Sequence, residues 1–292
     1  MEFKGIIPAV PTPFGGDDRI DLGILEDILG FLLKAGVHGL FVSGNAGEFY
    51  AMTDGEKREV LRASRRKVGD AVPIFFGSGS ASTAEACRLT RMAESEGADA
   101  ISAITPYLVK PSEEELYQYF KAICASTALP VLVYNNPTVT GVAVSPHLMT
   151  RLAEIDNLVG VKDSSGDLAI TLEYLQIPKK DFIVLAGRDG LILSTLVHGG
   201  SGAISSVASA CPELAVSIYT AFAEGDLERA KTQQMKFARL RQMFSLGTFP
   251  SVVKAALEIR GYPVGAPRAP VAPLAEAKRA LLAECIRNVL DS

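Results

Sequence analysis

Short apolar runs alternate with amphipathic stretches along this chain, and each kind of segment predicts its own element. Runs at 6–10, 40–43, 73–76, 100–104, 131–134, 158–162, 182–186 and 203–206 are mostly apolar and bounded by Gly, Pro or Asn. That is the pattern of strands buried on both faces, as in a parallel sheet. Between the runs, apolar positions recur at helical spacing. In 22–35 they fall at 22, 25, 28, 29, 32 and 33. Three helix starts carry the reciprocal Ser/Thr-x-x-Glu capping box: Thr53 with Glu56, Ser82 with Glu85, and Ser112 with Glu115.

Strand, loop and helix therefore follow in a regular cycle. Eight such cycles, the last helix running 212–223, predict an α/β fold in the form of a closed (β/α)8 TIM barrel. An open doubly wound sheet is the alternative, and the even spacing of the units favours closure. Beyond Gly225 the strands cease. The pattern becomes helical at 226–246, 250–260 and 274–290, with a Pro-rich link at 265–273. The expected organisation is a barrel over residues 1–224 that carries the active site, and a C-terminal helical extension over 225–292.

Composition narrows the function classes. With 292 residues, 48% hydrophobic and 21% charged, the chain is an ordinary globular one, long enough for a sizeable core. A net charge of −4 argues against a nucleic-acid partner, which calls for a basic face. No apolar run approaches the ~18 residues of a membrane span. The start, Met1-Glu2-Phe3-Lys4, lacks the basic region and apolar segment of a signal peptide. Cys87, Cys124, Cys211 and Cys285 lie far apart and read as reduced thiols of a cytoplasmic protein. Three lone histidines leave little material for a His-built metal site.

In a barrel of this kind the chemistry sits where strands end and the following loops begin. Lys162 ends the otherwise apolar run Leu158-Val159-Gly160-Val161. A lysine there is costly unless it is paired, reaches solvent or is neutral. Burial favours the neutral amine, which is the nucleophile that forms a Schiff base with a ketone. The plainer alternative is a lysine paired with Asp163 or reaching water. Tyr134 ends the preceding strand, so the two side chains can share one pocket, where a phenol can shuttle protons. Its plainer role is to fill the barrel top. The loop Gly44-Asn45-Ala46-Gly47-Glu48 offers backbone amides that can cradle a carboxylate. Gly199-Gly200-Ser201-Gly202 precedes the eighth strand, belongs to the opposite end, and is set aside. Gly77-Ser78-Gly79 reads as a tight turn.

Taken together, these positions resemble the dihydrodipicolinate synthase/N-acetylneuraminate lyase family of Schiff-base pyruvate aldolases. The resemblance spans nearly the whole chain. It rests on Pro11-Thr12-Pro13-Phe14, Gly44–Glu48 as Gly-x-x-Gly-Glu, and Thr105-Pro106-Tyr107. Tyr134-Asn135-x-Pro137, Gly160-Val161-Lys162-Asp163 and Gly202-Ala203-Ile204-Ser205 complete it. The resemblance implies a barrel with a helical extension, a cofactor-free lyase without a metal, and a homotetramer built from dimers. It casts Lys162 as the Schiff-base lysine and Tyr134 as the proton-moving tyrosine. It places Asn45 and Ala46 near the pyruvate carboxylate, and Gly187 and Ile204 along the pyruvate pocket. Tyr107 is expected near a subunit contact and the rim of the site.

The departures from the family bear on substrate. Many relatives carry hydroxyl residues at the positions of Asn45 and Ala46. The synthase of lysine biosynthesis carries an arginine where Val139 stands, and a second tyrosine where Leu108 stands. Gly47-Glu48-Phe49, Pro137-Thr138-Val139-Thr140-Gly141 and Val161-Lys162-Asp163-Ser164 look more like the 2-keto-3-deoxy sugar-acid and 4-hydroxy-2-oxoglutarate aldolases. The expectation is a class I carbon–carbon lyase whose partners are pyruvate and an aldehyde or 2-oxo acid. Arg188 is the candidate for a distal carboxylate or hydroxyls, against an ordinary salt bridge with Asp189 or another carboxylate. A tetrahydrodipicolinate-type synthase, a keto-deoxy sugar-acid dehydratase and a non-catalytic keto-acid sensor are the rivals.

Overall fold

The computed structural model describes residues 3–291. All eight expected runs are strands, each displaced by at most two residues at either end: β1 (Gly5–Pro8), β2 (Leu40–Val42), β3 (Ile74–Gly77), β4 (Ala100–Ile104), β5 (Val131–Asn135), β6 (Leu158–Asp163), β7 (Ile183–Ala186) and β8 (Gly202–Ser205). They pair in parallel in the order β1-β8-β7-β6-β5-β4-β3-β2. The ring closes between β1 and β2, where Ala9 bridges Phe41 and the Val10 N–H donates to the Phe41 carbonyl at 2.9 Å. The fold is the expected TIM barrel, and the open sheet is excluded.

Alternation along each strand divides the core into two layers. Ile7, Phe41, Phe75, Leu132, Leu185 and Ile204 point inward and fill the barrel. Their neighbours Ile6, Leu40, Ile74, Val133, Val184 and Ala203 point outward, into the layer packed under the helices. Because both faces are covered, the strands are apolar throughout, which is why they were legible as continuous runs.

One irregularity positions the site. Between β5 and β6, Val131 faces Leu158, but the next pair is Leu132 with Gly160, so Val159 is an extra residue in β6. Without that bulge, Tyr134 would stand opposite Val161. With it, Val161 packs outward and Lys162 comes level with Tyr134, pointing inward.

The capping boxes at Thr53 and Ser112 form. In the first, the Thr53 N–H donates to Glu56 at 2.7 Å and the Glu56 N–H donates to the Thr53 hydroxyl at 3.3 Å. The third expected box does not form. Ser82 makes no capping bond, because the Glu85 carboxylate turns away to accept from the Arg88 guanidinium at 2.9 Å. At the opposite end of the barrel from the site, Gly202 approaches the chain so closely that a Cβ would lie 2.0 Å from the Gly5 carbonyl. The glycine run there serves strand packing.

After the barrel helix Pro212–Ala223 come the helices Leu227–Met243, Ser251–Ile259 and Glu276–Leu290. Two cations from this part hold the loop after β2. Lys254 and Glu48 form an ion pair at 2.6 Å, with both side chains fully buried. The Arg268 N–H donates to the other Glu48 oxygen at 2.9 Å, while its guanidinium reaches Glu56 and the Ala51 carbonyl. Glu48 itself has φ 57°, a left-handed turn that a glutamate adopts only under such constraint. Among the described residues, no helix is long and apolar enough to cross a membrane.

Candidate active site

A cavity of about 190 Å³ opens at the C-terminal ends of the strands. Of the nine residues expected at the site, eight line it: Lys162, Tyr134, Asn45, Ala46, Gly187, Ile204, Val139 and Arg188. Tyr107 does not. Its ring stacks edge-on against Phe49 at 5.9 Å, and burial raises the pKa of its phenol.

Lys162 is 4% exposed, and its Nζ lies 3.8 Å from the Tyr134 ring centroid and 4.8 Å from that of Phe41. Its sequence neighbour is not its partner. The Asp163 carboxylate faces outward and accepts from Asn135, the Ser165 N–H and hydroxyl, and Thr171 at 2.7–3.1 Å. Among the described residues, no carboxylate stands within ion-pair distance of Lys162. The amine is therefore held between two aromatic faces at the cavity floor. Tyr134 is 6% exposed, and its phenol oxygen accepts from Asn136 Nδ2 at 2.9 Å.

The loop after β2 presents its backbone to the same cavity. The Thr12 hydroxyl donates to the Gly47 carbonyl at 2.7 Å and fixes the turn. Among the described residues, the N–H groups of Asn45 and Ala46 have no hydrogen-bond partner. Ala46 is only 2% exposed, so its N–H carries a desolvation cost that a bound carboxylate oxygen would relieve.

On the opposite wall, Gly187 lies against Ser164. A Cβ at Gly187 would stand 1.9 Å from the Ser164 hydroxyl, so only glycine fits. That hydroxyl is buried and unpartnered, and it lines the cavity. Arg188 faces the cavity, with Nε donating to the Ser164 carbonyl at 2.8 Å and Nη2 to the Thr138 hydroxyl at 2.9 Å. Among the described residues, neither Asp189 nor another carboxylate forms the salt bridge that was its alternative. Asp189 is instead paired with Arg241 at 3.3 Å and accepts from the Ser205 hydroxyl. Burial pushes the Asp189 carboxyl above the usual carboxylate range, against the opposing pull of Arg241.

The sequence reading missed several lining residues. Arg241, Phe244 and Phe249 come from the extension, more than fifty residues beyond β7 and with no local motif. Ser164 and Asn136 sit inside the recognised motifs but were not singled out. Among the described residues, no three His, Cys, Asp or Glu side chains form a metal-binding group.

Residues 2–289 match the model of the Dihydrodipicolinate synthetase family. A 4-hydroxy-tetrahydrodipicolinate synthase of Archaeoglobus fulgidus is 38% identical over 289 residues, covering 98% of each chain. A probable 2-dehydro-3-deoxy-D-pentonate aldolase of Escherichia coli K12 is also 38% identical, over 90% of this chain and 89% of its own. Among solved structures, dihydrodipicolinate synthase from Bacillus anthracis superposes with a TM-score of 0.95 at 33% identity, covering 98% of both chains. An E. coli K12 prophage protein of the same family, solved in complex with pyruvate, gives 0.95 at 34% identity over 99% of both. The strand-end lysine, the tyrosine and the loop after β2 thus lie in a barrel whose whole length matches one group of proteins, and the chain belongs to the dihydrodipicolinate synthetase family.

Proposed function

We propose that this chain is a class I lyase that cleaves or forms a 4-hydroxy-2-oxo acid, with pyruvate as the keto fragment. The observation that carries the reading is Lys162, buried and, among the described residues, without a carboxylate in ion-pair distance, with Nζ 3.8 Å from the Tyr134 ring centroid. Its amine adds to the C2 ketone and, with loss of water, gives a protonated imine. A proton leaves the C4 hydroxyl, the C3–C4 bond breaks, and its electron pair flows through C3 to the iminium nitrogen. An aldehyde departs. The remaining enamine takes a proton at C3, and water then releases pyruvate and the free amine. Tyr134 is the group within reach to move these protons.

Asn45 and Ala46 N–H groups suit the pyruvate carboxylate, with the Ser164 hydroxyl as a further donor from the facing wall. Gly187 and Ile204 shape the pocket around the three-carbon unit. At the distal end, Val139 is apolar, and Arg188 on the same cavity is a receiver of negative charge. Arg188 uses two of its five N–H groups on Ser164 and Thr138 and has no carboxylate partner among the described residues. That favours a second carboxylate or a hydroxylated tail, as in 4-hydroxy-2-oxoglutarate or 2-keto-3-deoxygluconate. Residues 1–224 supply the catalytic groups, and the extension from 225 adds Arg241, Phe244 and Phe249 to the rim.

The scheme uses no cofactor, and activity should survive EDTA. Four free cysteines are in keeping with a cytoplasmic setting. Assembly as a homotetramer is part of the reading. An aromatic cluster of Tyr50, Phe49 and Tyr107 runs on to Leu108, which is 93% exposed, and offers an apolar face for a subunit contact. A monomeric mass by light scattering at micromolar concentration would remove that part.

Two of the relatives' names support different substrates, so condensation of pyruvate with aspartate semialdehyde is the second reading. The test compares kcat/KM for that condensation with cleavage of the two 4-hydroxy-2-oxo acids. Cleavage should be faster, and product analysis should find pyruvate, which a dehydratase would not release. Condensation faster than both cleavages would overturn the substrate assignment.

A further inference from the structure

Asn136 occupies the open position of the motif Tyr134-Asn135-x-Pro137. It stands at the N-cap of the short helical turn Pro137–Thr140, where an asparagine ordinarily bonds a backbone N–H of the first turn. Here its side chain makes no capping bond. It is 7% exposed and spends its polar atoms on a chain that ends at the phenol. Arg188 Nη2 is 2.9 Å from Thr138 Oγ1, Thr138 Oγ1 is 2.9 Å from Asn136 Oδ1, and Asn136 Nδ2 is 2.9 Å from the Tyr134 phenol oxygen.

The chain runs in one direction, because Asn136 turns its Oδ1 to the Thr138 hydroxyl and its Nδ2 to the phenol oxygen. A guanidinium has five donors and no acceptor, so Thr138 must accept from Arg188. The single proton of the Thr138 hydroxyl is then free to go to Asn136, whose oxygen takes it. The amide nitrogen is thereby turned toward Tyr134, and the phenol oxygen must accept. Among the described residues, nothing accepts the phenol's own proton.

We propose that Asn136 is a positioning residue that fixes the Tyr134 phenol as an acceptor, so that its proton is aimed into the cavity. The amide donor also stabilises the negative charge that forms on the phenol oxygen when the proton leaves. This assignment rests on the Schiff-base reading for the chemistry that the phenol serves.

The probe is pyruvate in D2O. Passage from the Lys162 iminium to the enamine breaks a C3–H bond, and reversal delivers deuterium, so loss of the methyl proton signal counts proton transfers without any aldehyde. One lost hydrogen bond should slow exchange roughly tenfold in Asn136→Ala and in Thr138→Val, with Thr138→Ser restoring it to within about twofold. Capture of pyruvate on Lys162 by borohydride at long incubation should persist in all three. The Tyr134 13Cζ resonance, assigned by its loss in Tyr134→Phe, should move in Asn136→Ala and Thr138→Val and hold its place in Thr138→Ser. Exchange within about twofold of wild type in Asn136→Ala, or an unmoved Tyr134 resonance, would overturn the assignment. Absence of both exchange and adduct in the wild-type enzyme would overturn the Schiff-base reading instead, and the Tyr134 resonance would still decide the Asn136 contact.

Discussion

Lys162 stands directly opposite Tyr134 because β6 carries one more residue than β5 between their first and second paired positions. Gly160 lies just past that slip, in a place where a Cβ would meet the Ile183 carbonyl at 2.2 Å. The bulge turns an alternating strand so that the amine, and not Val161, enters the barrel. Placement of the amine is thus a property of strand pairing as much as of the lysine itself.

Gly187 should tolerate no side chain. In Gly187→Ala the new methyl group collides with the Ser164 hydroxyl and also lies 2.9 Å from the Asp163 carbonyl. Overpacking of this kind costs about 1–3 kcal/mol. Urea denaturation should show a loss in that range, together with loss of pyruvate capture. Adding Ser164→Ala removes the nearest atom and should recover most of the stability. An unchanged denaturation midpoint in the single variant would show that the wall is softer than its geometry indicates.

How much of this was legible in the sequence differs between fold and site. Eight strands could be read because each is covered on both faces, which leaves a run of apolar residues and little else. Lys162 stood out for the same reason, as the one charge closing such a run. The bulge at Val159 left no mark, since register depends on the partner strand. Arg241 was invisible because α-helical spacing on the extension says nothing of which barrel loop it meets. Ser82 misled for a local reason: a capping box shares its glutamate with any nearby arginine, and Arg88 one turn on wins. Tyr107 was expected near the rim and a subunit contact by resemblance, and within this chain its ring packs on Phe49 and does not line the cavity.

The Glu48–Lys254 pair ties the loop after β2 to the extension. Burial lowers Lys254 from its ordinary value, opposed by Glu48. Removing one member leaves the other charge buried alone, which costs about 3–5 kcal/mol. Lys254→Met should therefore lose stability on that scale in chemical denaturation. The double variant with Glu48→Gln should regain much of it. A Lys254→Met protein within about 1 kcal/mol of wild type would mean that Arg268 alone satisfies Glu48.

Glu56 sets an acid limit. A hydrogen bond from Arg268 lowers its carboxyl to about 2 from 4.5, with further help from the Thr53 cap and against a smaller opposing effect of burial. A carboxylate whose folded value is depressed adds stability above its unfolded value and loses it as pH falls through the folded one. Thermal stability should accordingly decline between pH 4.5 and 2. Glu56→Gln should flatten that decline while lowering stability at neutral pH. Parallel curves for the two proteins would contradict the assignment.

Val139 is the simplest lever on specificity. It is 55% exposed at the cavity edge, so a longer side chain can be accommodated there. Val139→Arg supplies a charged donor for a second carboxylate, and such a bond contributes about 1.5–3 kcal/mol. Condensation with aspartate semialdehyde should rise by roughly 10- to 100-fold in kcat/KM. No gain would mean that the semialdehyde carboxylate is received elsewhere.

The central claim is that Lys162 is the nucleophile. Incubation with pyruvate and borohydride, followed by peptide mass mapping, tests it without knowledge of the aldehyde. The reduced pyruvate mass should appear on Lys162, should vanish in Lys162→Ala, and should leave the buried Lys254 unlabelled. A folded wild-type protein that gains no adduct, or gains it on another lysine, would contradict the account.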